Sequence, residues 1–181
     1  RKTSAGYDLT RLIVGSEGTL GVFAAVEIRL VPLPAAIWGV TAFLPSMEGA
    51  VRFVQRVRGA PGRPAAIEFF DGHALRLLGQ QKRDNPAFGE LPEIPVQAEA
   101  AVYVEYHGPD SEQVESAVMD MSEALEACGG NAEATWLASD PRELDRLKTF
   151  RHAIPEAVNL LIDQRRKTEP RLTKLGTDLA V

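Results

Sequence analysis

Apolar and polar residues alternate with two different periods along this chain, and the change falls at a pair of prolines. Across residues 21–31, Val22, Ala24, Val26, Ile28 and Leu30 recur at every second position, while Glu27 and Arg29 take the opposite face. That period predicts a half-buried strand. Residues 12–14 form a shorter apolar run that stops at Gly15, so residues 9–33 read as strand-rich. Pro32 and Pro34 end the run, because proline donates nothing to a ladder. The boundary between two structural units is placed there, with residues 1–34 before it and residues 35–181 after it.

Beyond the prolines the two periods alternate. Residues 37–44 read as a strand. Ser46 then caps a helix in which Met47, Ala50, Val51, Val54 and Val57 fall at helical spacing, and Gly59-Ala60-Pro61-Gly62 stops it. Residues 65–70 read as a second strand, and Asp71 caps a short helix over residues 73–78. Residues 80–95 are polar and rich in Pro and Gly, the pattern of a mobile loop. A third strand covers residues 98–106. A helix then starts at Gly108-Pro109-Asp110-Ser111 and carries Val114, Val118, Met121, Leu125 and Cys128 as one apolar stripe. Residues 132–137 read as a fourth strand.

The order β-α-β, β-α-β predicts an α+β fold. It is the ferredoxin-like split βαβ arrangement, an antiparallel sheet with helices on one face and the other face free to cover something. Residues 139–171 then read as helical, with Asp140 capping and Pro141 at the first position. Pro155 predicts a kink or a fresh start. Residues 174–181 read as strand or loop.

Composition narrows the function. The 181 residues are 45% hydrophobic and 25% charged, ordinary for a globular domain. A net charge of −5 argues against nucleic-acid binding through a global positive field. One cysteine excludes an internal disulfide framework and a Cys-rich zinc site. No apolar run approaches the roughly 20 residues that cross a bilayer, and no secretory signal is recognised. The chain opens without Met and finishes on Asp178-Leu179-Ala180-Val181, so it is expected to be a piece of a longer protein.

The most informative stretch is Gly15-Ser16-Glu17-Gly18-Thr19-Leu20-Gly21, three glycines in seven residues between two predicted strands. Glycine permits positive φ and close approach of another molecule. Exposed N–H groups in such a loop suit an anion or a flat heteroaromatic ring. A strand rather than a helix follows, so this is not the dinucleotide fingerprint. A tight turn with a bulge meets the same pattern.

The wording goes further. Gly6-Tyr7-Asp8-Leu9, the run from Leu12-Ile13-Val14-Gly15 through Gly21-Val22, and Ile28-Arg29-Leu30-Val31-Pro32-Leu33-Pro34 closely resemble the FAD-linked 2-hydroxyacid dehydrogenases and oxidases. That group includes the glycolate oxidase flavin subunit, D-lactate dehydrogenase and D-2-hydroxyglutarate dehydrogenase, among the vanillyl-alcohol-oxidase-like flavoproteins. Ala65-Ala66-Ile67-Glu68-Phe69-Phe70-Asp71 and Arg151-His152-Ala153-Ile154-Pro155-Glu156 are similar to pieces of the family's substrate, or cap, domain.

The resemblance implies that residues 1–34 are the last strands of a PCMH-type FAD-binding domain and residues 35–181 the first part of the cap. Gly15, Ser16, Glu17, Gly18, Thr19, Leu20, Gly21 and Val22 would then form part of the FAD wall, with Glu17 bracing the loop. Arg151 would reach the substrate carboxylate through its bidentate fork, and Lys174 would be a second contact. The family's Pro-Gly-Gly loop, which grips the FAD pyrophosphate, would lie upstream of Arg1. A His-Gly-X-Gly-Asn-X-His segment, supplying the base and the ligands of a divalent metal, would lie beyond Val181. The chain on its own is therefore expected to be folded but catalytically silent.

The implied partners are a small 2-hydroxy acid, an electron-acceptor subunit and a second copy of the chain. The implied location is cytoplasmic, or peripheral at a membrane in an assembled complex. No metal ligand and no catalytic base is expected within these residues: His73 sits in a short helix, His107 at a strand end and His152 beside Arg151. The alternative is a non-catalytic ferredoxin-like module that binds a ligand or dimerises through its open sheet face. Cys128 is expected to be buried and inert, Trp38 and Trp136 to pack the sheet, and Arg165, Arg166, Lys167 and Arg171 to be a solvated helix end.

Overall fold

The computed structural model describes residues 6–89, 91 and 93–174, and the chain divides into two compact units, Arg1–Leu33 and Pro34–Val181. The described part of the first unit holds one short helix, α1 (Leu9–Ile13), whose Asp8 side chain accepts from the Arg11 N–H. The strand predicted over residues 21–31 does not form: residues 22–33 pair with no other strand among the described residues, and Val22 and Leu30 are 98% and 81% exposed. The alternation is present, but a strand's N–H and C=O groups need a neighbouring strand. Residues 12–14 are likewise not a strand, since most of the run lies in α1; three residues are too few for a period to decide between the two.

The second unit is built from β1 (Ala36–Leu44), α2 (Met47–Gly59), β2 (Ala66–Asp71), α3 (Gly72–Asp84), β3 (Ala100–Gly108), α4 (Ser111–Glu126), β4 (Trp136–Ala138) and α5 (Pro141–Arg166). All strand pairs are antiparallel and the sheet order is β2-β3-β1-β4, the ferredoxin-like order. Each long helix opens on a side chain that accepts an otherwise unpaired N–H: Ser46 from Gly49, Asp71 from Ala74, Asp110 from Gln113, and Asp140 from Arg142 and Glu143. Such caps contribute about 1 kcal/mol each.

One face of the sheet carries Val40, Ala42, Leu44, Val102 and Val104, packed against Ala50, Phe53 and Val57 of α2 and Val114, Met121 and Leu125 of α4. Cys128 is buried in the same layer, and Trp38 packs against it. Within α2 the buried stripe runs through Phe53; Met47 and Val51 are about half exposed.

The other face is not free. Leu75 and Leu78 of α3, together with Phe150, Ala153, Ile154 and Ala157 of α5, pack with Phe43 and Ala101 of the sheet. Phe150 meets Phe70 and Trp136 edge-on at 5.7 and 5.0 Å, and Trp136 meets Phe43 at 4.7 Å. Both central strands are thus sandwiched, which explains why residues 100–104 are all buried.

Three further expectations shift. Residues 80–84 extend α3, and Phe88 and Leu91 are buried, so the polar segment is pinned to the core by two apolar side chains. The fourth strand is only three residues long, because residues 132–134 make a 3-10 turn capped by Asn131. Helix α5 runs unbroken through Pro155. Apolar side chains on both sides of the proline, Phe150 and Ala157, hold it to one layer. Pro155 has no N–H for the carbonyl of Arg151 one turn earlier.

Phe53 is fully buried between α2 and the sheet. Phe53→Ala is expected to cost about 3–5 kcal/mol of stability, measured by urea unfolding followed by circular dichroism.

Candidate functional site

Strand alternation brings four polar side chains together on the α3/α5 face of the sheet, and α5 adds a fifth. Tyr103, Glu105 and His107 follow one another at every second position of β3, and Glu68 of β2 pairs in register with Tyr103. Arg151 of α5 reaches down onto them and forms an ion pair with Glu68. Its guanidinium carbon lies 4.6 Å from the centre of the Tyr103 ring, a cation–π contact. The Tyr103 hydroxyl donates to Glu105 at 2.5 Å, and His107 Nε2 lies 2.7 Å from the other oxygen of Glu105.

Gly39 makes this fit possible. A Cβ there would stand 3.1 Å from the Tyr103 hydroxyl and 3.1–3.2 Å from Leu144 and Leu147. Thr41 Oγ1 and Arg151 Nε are buried without hydrogen-bond partners.

The electrostatics follow from burial and proximity. Burial pushes Tyr103 well above the ordinary tyrosine value, with the hydrogen bond to Glu105 and its charge adding to the effect and Arg151 opposing it. For Glu105, burial acts upward, but the hydrogen bonds from Tyr103 and His107 and the charges of His107 and Arg151 outweigh it and hold the carboxyl below its usual range. Glu68 stabilises the charged form of Arg151 and raises its pKa, against the opposing effect of burial.

Lys174 is not beside Arg151. It is exposed and its Nζ lies 3.3 Å from Asn159 Oδ1. Asn159 follows Arg151 by eight helical residues, roughly 12 Å along the axis. Residues 175–181, including Asp178, lie outside the described residues. All three histidines are exposed, and His107 joins the cluster through its hydrogen bond to Glu105. Sequence reading overlooked Glu68, Tyr103, Glu105 and His107 as a group. The signal was available in the period-two spacing of the last three.

In the first unit, the glycine loop adopts the backbone its composition requires. Gly15, Glu17 and Gly18 have φ of 83°, 47° and 79°, all left-handed. The turn closes by Thr19 N–H and Oγ1 donating to the Ser16 carbonyl at 2.9 and 2.6 Å. Residues 15–18 border a mostly apolar groove of about 630 Å³ that Ile13, Phe23 and Val26 also line. Ser16 Oγ is buried there without a partner. Leu20 and Val22 are exposed and lie outside this groove, as do Thr19 and Gly21. Among the described residues Glu17 makes no hydrogen bond or ion pair, although its positive φ at a non-glycine position marks a constrained backbone. An apolar hollow with an unsatisfied hydroxyl and an open glycine backbone fits one edge of a flat ring system such as a flavin. Among the described residues no group of three His, Cys, Asp or Glu side chains is placed to hold a metal, and no helix is long and apolar enough to cross a membrane.

Comparison with known proteins places this architecture. Residues 33–179 match the family described as FAD linked oxidases, C-terminal domain, and the chain belongs to that family. It is 31% identical over 84% of its length to "Probable D-lactate dehydrogenase, mitochondrial" of Danio rerio, covering 28% of that protein. It is 35% identical over 64% of its length to "Glycolate oxidase subunit GlcD" of Bacillus subtilis (24% of that protein), and 30% identical over 88% to "D-2-hydroxyglutarate dehydrogenase, mitochondrial" of Rattus norvegicus (28%). A solved structure of alkyldihydroxyacetonephosphate synthase superposes with a TM-score of 0.49 at 18% identity, over 78% of this chain and 26% of that one. The chain thus spans about a quarter of the length of the three curated relatives named.

Tyr103 and Tyr106 are both pushed up by burial, Tyr106 to about 12 with help from the Asp120 charge. Raised in the folded state, each contributes stability that is intact below the ordinary tyrosine value of 10.0 and is lost as pH rises above it. Native protein titrated to pH about 11 at 295 nm should therefore give the same absorbance change in wild type and Tyr103→Phe. The alkaline loss of stability should be smaller in that variant.

Proposed function

We propose that this chain is the substrate-binding portion of a flavin-dependent 2-hydroxyacid dehydrogenase or oxidase, and that Arg151 binds the acid's carboxylate. The observation that carries this reading is a permanently charged guanidinium laid on a sheet face and flanked by Tyr103, with part of its side chain still open to solvent. Membership of the FAD-linked oxidase C-terminal family and the names of the relatives support it.

Residues 15–22 contribute one side of the FAD site, through the open backbone at Gly15 and Gly18 and the Ser16 hydroxyl. Bound FAD would supply the acceptor for the hydride that leaves C2 of the acid. Arg151 fixes the carboxylate and so orients C2 and its hydroxyl. Tyr103 supports the guanidinium from beneath with its ring. Glu105 accepts from the tyrosine hydroxyl, and His107 holds Glu105 through its other oxygen, so that the ring is kept from turning away. The base that takes the hydroxyl proton comes from outside the described residues, from the histidine-rich segment that the sequence resemblance places beyond Val181. Glycolate and D-lactate are the proposed substrates, and an electron-acceptor subunit is the proposed partner. The dimerisation alternative is less well supported, because α3 and α5 cover most of the face it would use.

The test is kinetic, on the full-length enzyme. Arg151→Lys should raise KM for glycolate or D-lactate at least tenfold with flavin content unchanged, since an ammonium cannot reproduce the two-pronged contact. Unchanged KM would remove Arg151 from the site. Gly18→Val, at a position with φ of 79°, should lower the flavin bound per protein, read from visible absorbance.

A further inference from the structure

Arg151 is already held by a carboxylate of its own chain. Glu68 engages it through one oxygen, on the terminal Nη2. The two carboxylates beside Arg151 differ in how firmly they are held. Glu105 is fixed by Tyr103 on one oxygen and His107 on the other, with 14% of its side chain exposed. Glu68 makes no other hydrogen bond or ion pair among the described residues, and 37% of its side chain is exposed, against 21% for Arg151. A structural ion pair is usually braced on both partners, because burying an unbraced one gains little. This pair is braced on the arginine side only, by Tyr103, and it opens to solvent on the glutamate side.

The charge balance points the same way. With Glu68 in contact, the arginine charge is cancelled, and Glu105 adds a second negative charge close by. An arriving carboxylate then meets no net attraction. If the Glu68 side chain swings into solvent, the arginine is left in place with an empty fork of the charge and shape that a carboxylate requires.

We propose that Glu68 is an internal competitor for the substrate: its carboxylate occupies the anion-accepting edge of Arg151 in the free protein and yields that edge to the carboxylate of the 2-hydroxy acid, so that Glu68 sets the affinity for the acid. This rests on Arg151 being the carboxylate contact. Glu68 is then a specificity-determining residue that takes no part in the chemical step. It weakens the binding of substrate and transition state alike, which appears in KM and not in kcat.

The experiment uses the full-length flavoenzyme with Glu68→Gln, Glu68→Asp and Arg151→Lys, assayed with glycolate and D-lactate. Glutamine keeps the size and removes the charge; aspartate keeps the charge and draws it back from the arginine. Both Glu68 variants should lower KM about fivefold, the scale expected for removing one partly exposed ion pair, with kcat and flavin content unchanged. A KM that stays the same or rises in both variants, while Arg151→Lys still raises it, would overturn the competitor role and leave the carboxylate assignment standing. No effect of any of the three would overturn both. Failure of both Glu68 variants to fold would show a counter-ion that cannot leave its arginine, which also overturns the competitor role.

Discussion

A guanidinium pressed against a β-sheet has to find its counter-charge and its hydrogen-bond partners within that sheet, and this constraint organises the second layer of the domain. Removing a charge from water is costly unless it is paired. The sheet answers with an aromatic ring under Arg151, a carboxylate beside it on β2, and a second carboxylate held by Tyr103 and His107. The polar patch sits where the apolar packing of α3 and α5 gives out. Phe43, Ala101 and Phe150 close one end of the face, and the opposite end opens to solvent at His107, with Glu105 beside it largely covered.

The two layers therefore have different jobs in one sheet. The α2/α4 side is a continuous apolar core, with Phe53 and Leu125 fully buried, and it carries stability. The α3/α5 side carries the ion-paired polar group and is held by aliphatic side chains of α3 and α5 together with three aromatic edge contacts. Helix α5 links the two roles. Its Phe150 anchors the helix, and the adjacent Arg151 projects onto the polar group. Pro155, one turn after Arg151, leaves the Arg151 carbonyl without its usual helical donor.

Much of this was legible in the sequence. The order of elements after Pro34, the caps at Ser46, Asp71 and Asp140, and the α4 stripe all follow from local chemistry, and the structure agrees. The family resemblance is borne out by the relatives and by the family match, whose residues 33–179 include the Arg-His-Ala-Ile-Pro run and begin after the glycine loop. What failed was whatever depended on distant residues. The alternation at residues 21–31 reports a strand's faces but not whether a partner is present. The polar run at residues 80–95 hid two anchors, Phe88 and Leu91, among loop-forming residues. The second face of the sheet was read as open, because a helix following a short strand gives no sign of which side it will cover. The Glu68–Arg151 pair joins residues 83 positions apart, and no local pattern records it.

The unpaired segment after the glycine loop has a practical consequence. Val22, Val26, Ile28 and Leu30 expose apolar side chains, and among the described residues the backbone between them joins no ladder. Such a segment is a template for strand addition, and two molecules at high concentration can satisfy it by pairing with each other. A strand supplied by a longer chain satisfies the same groups and buries the same side chains, which removes that tendency.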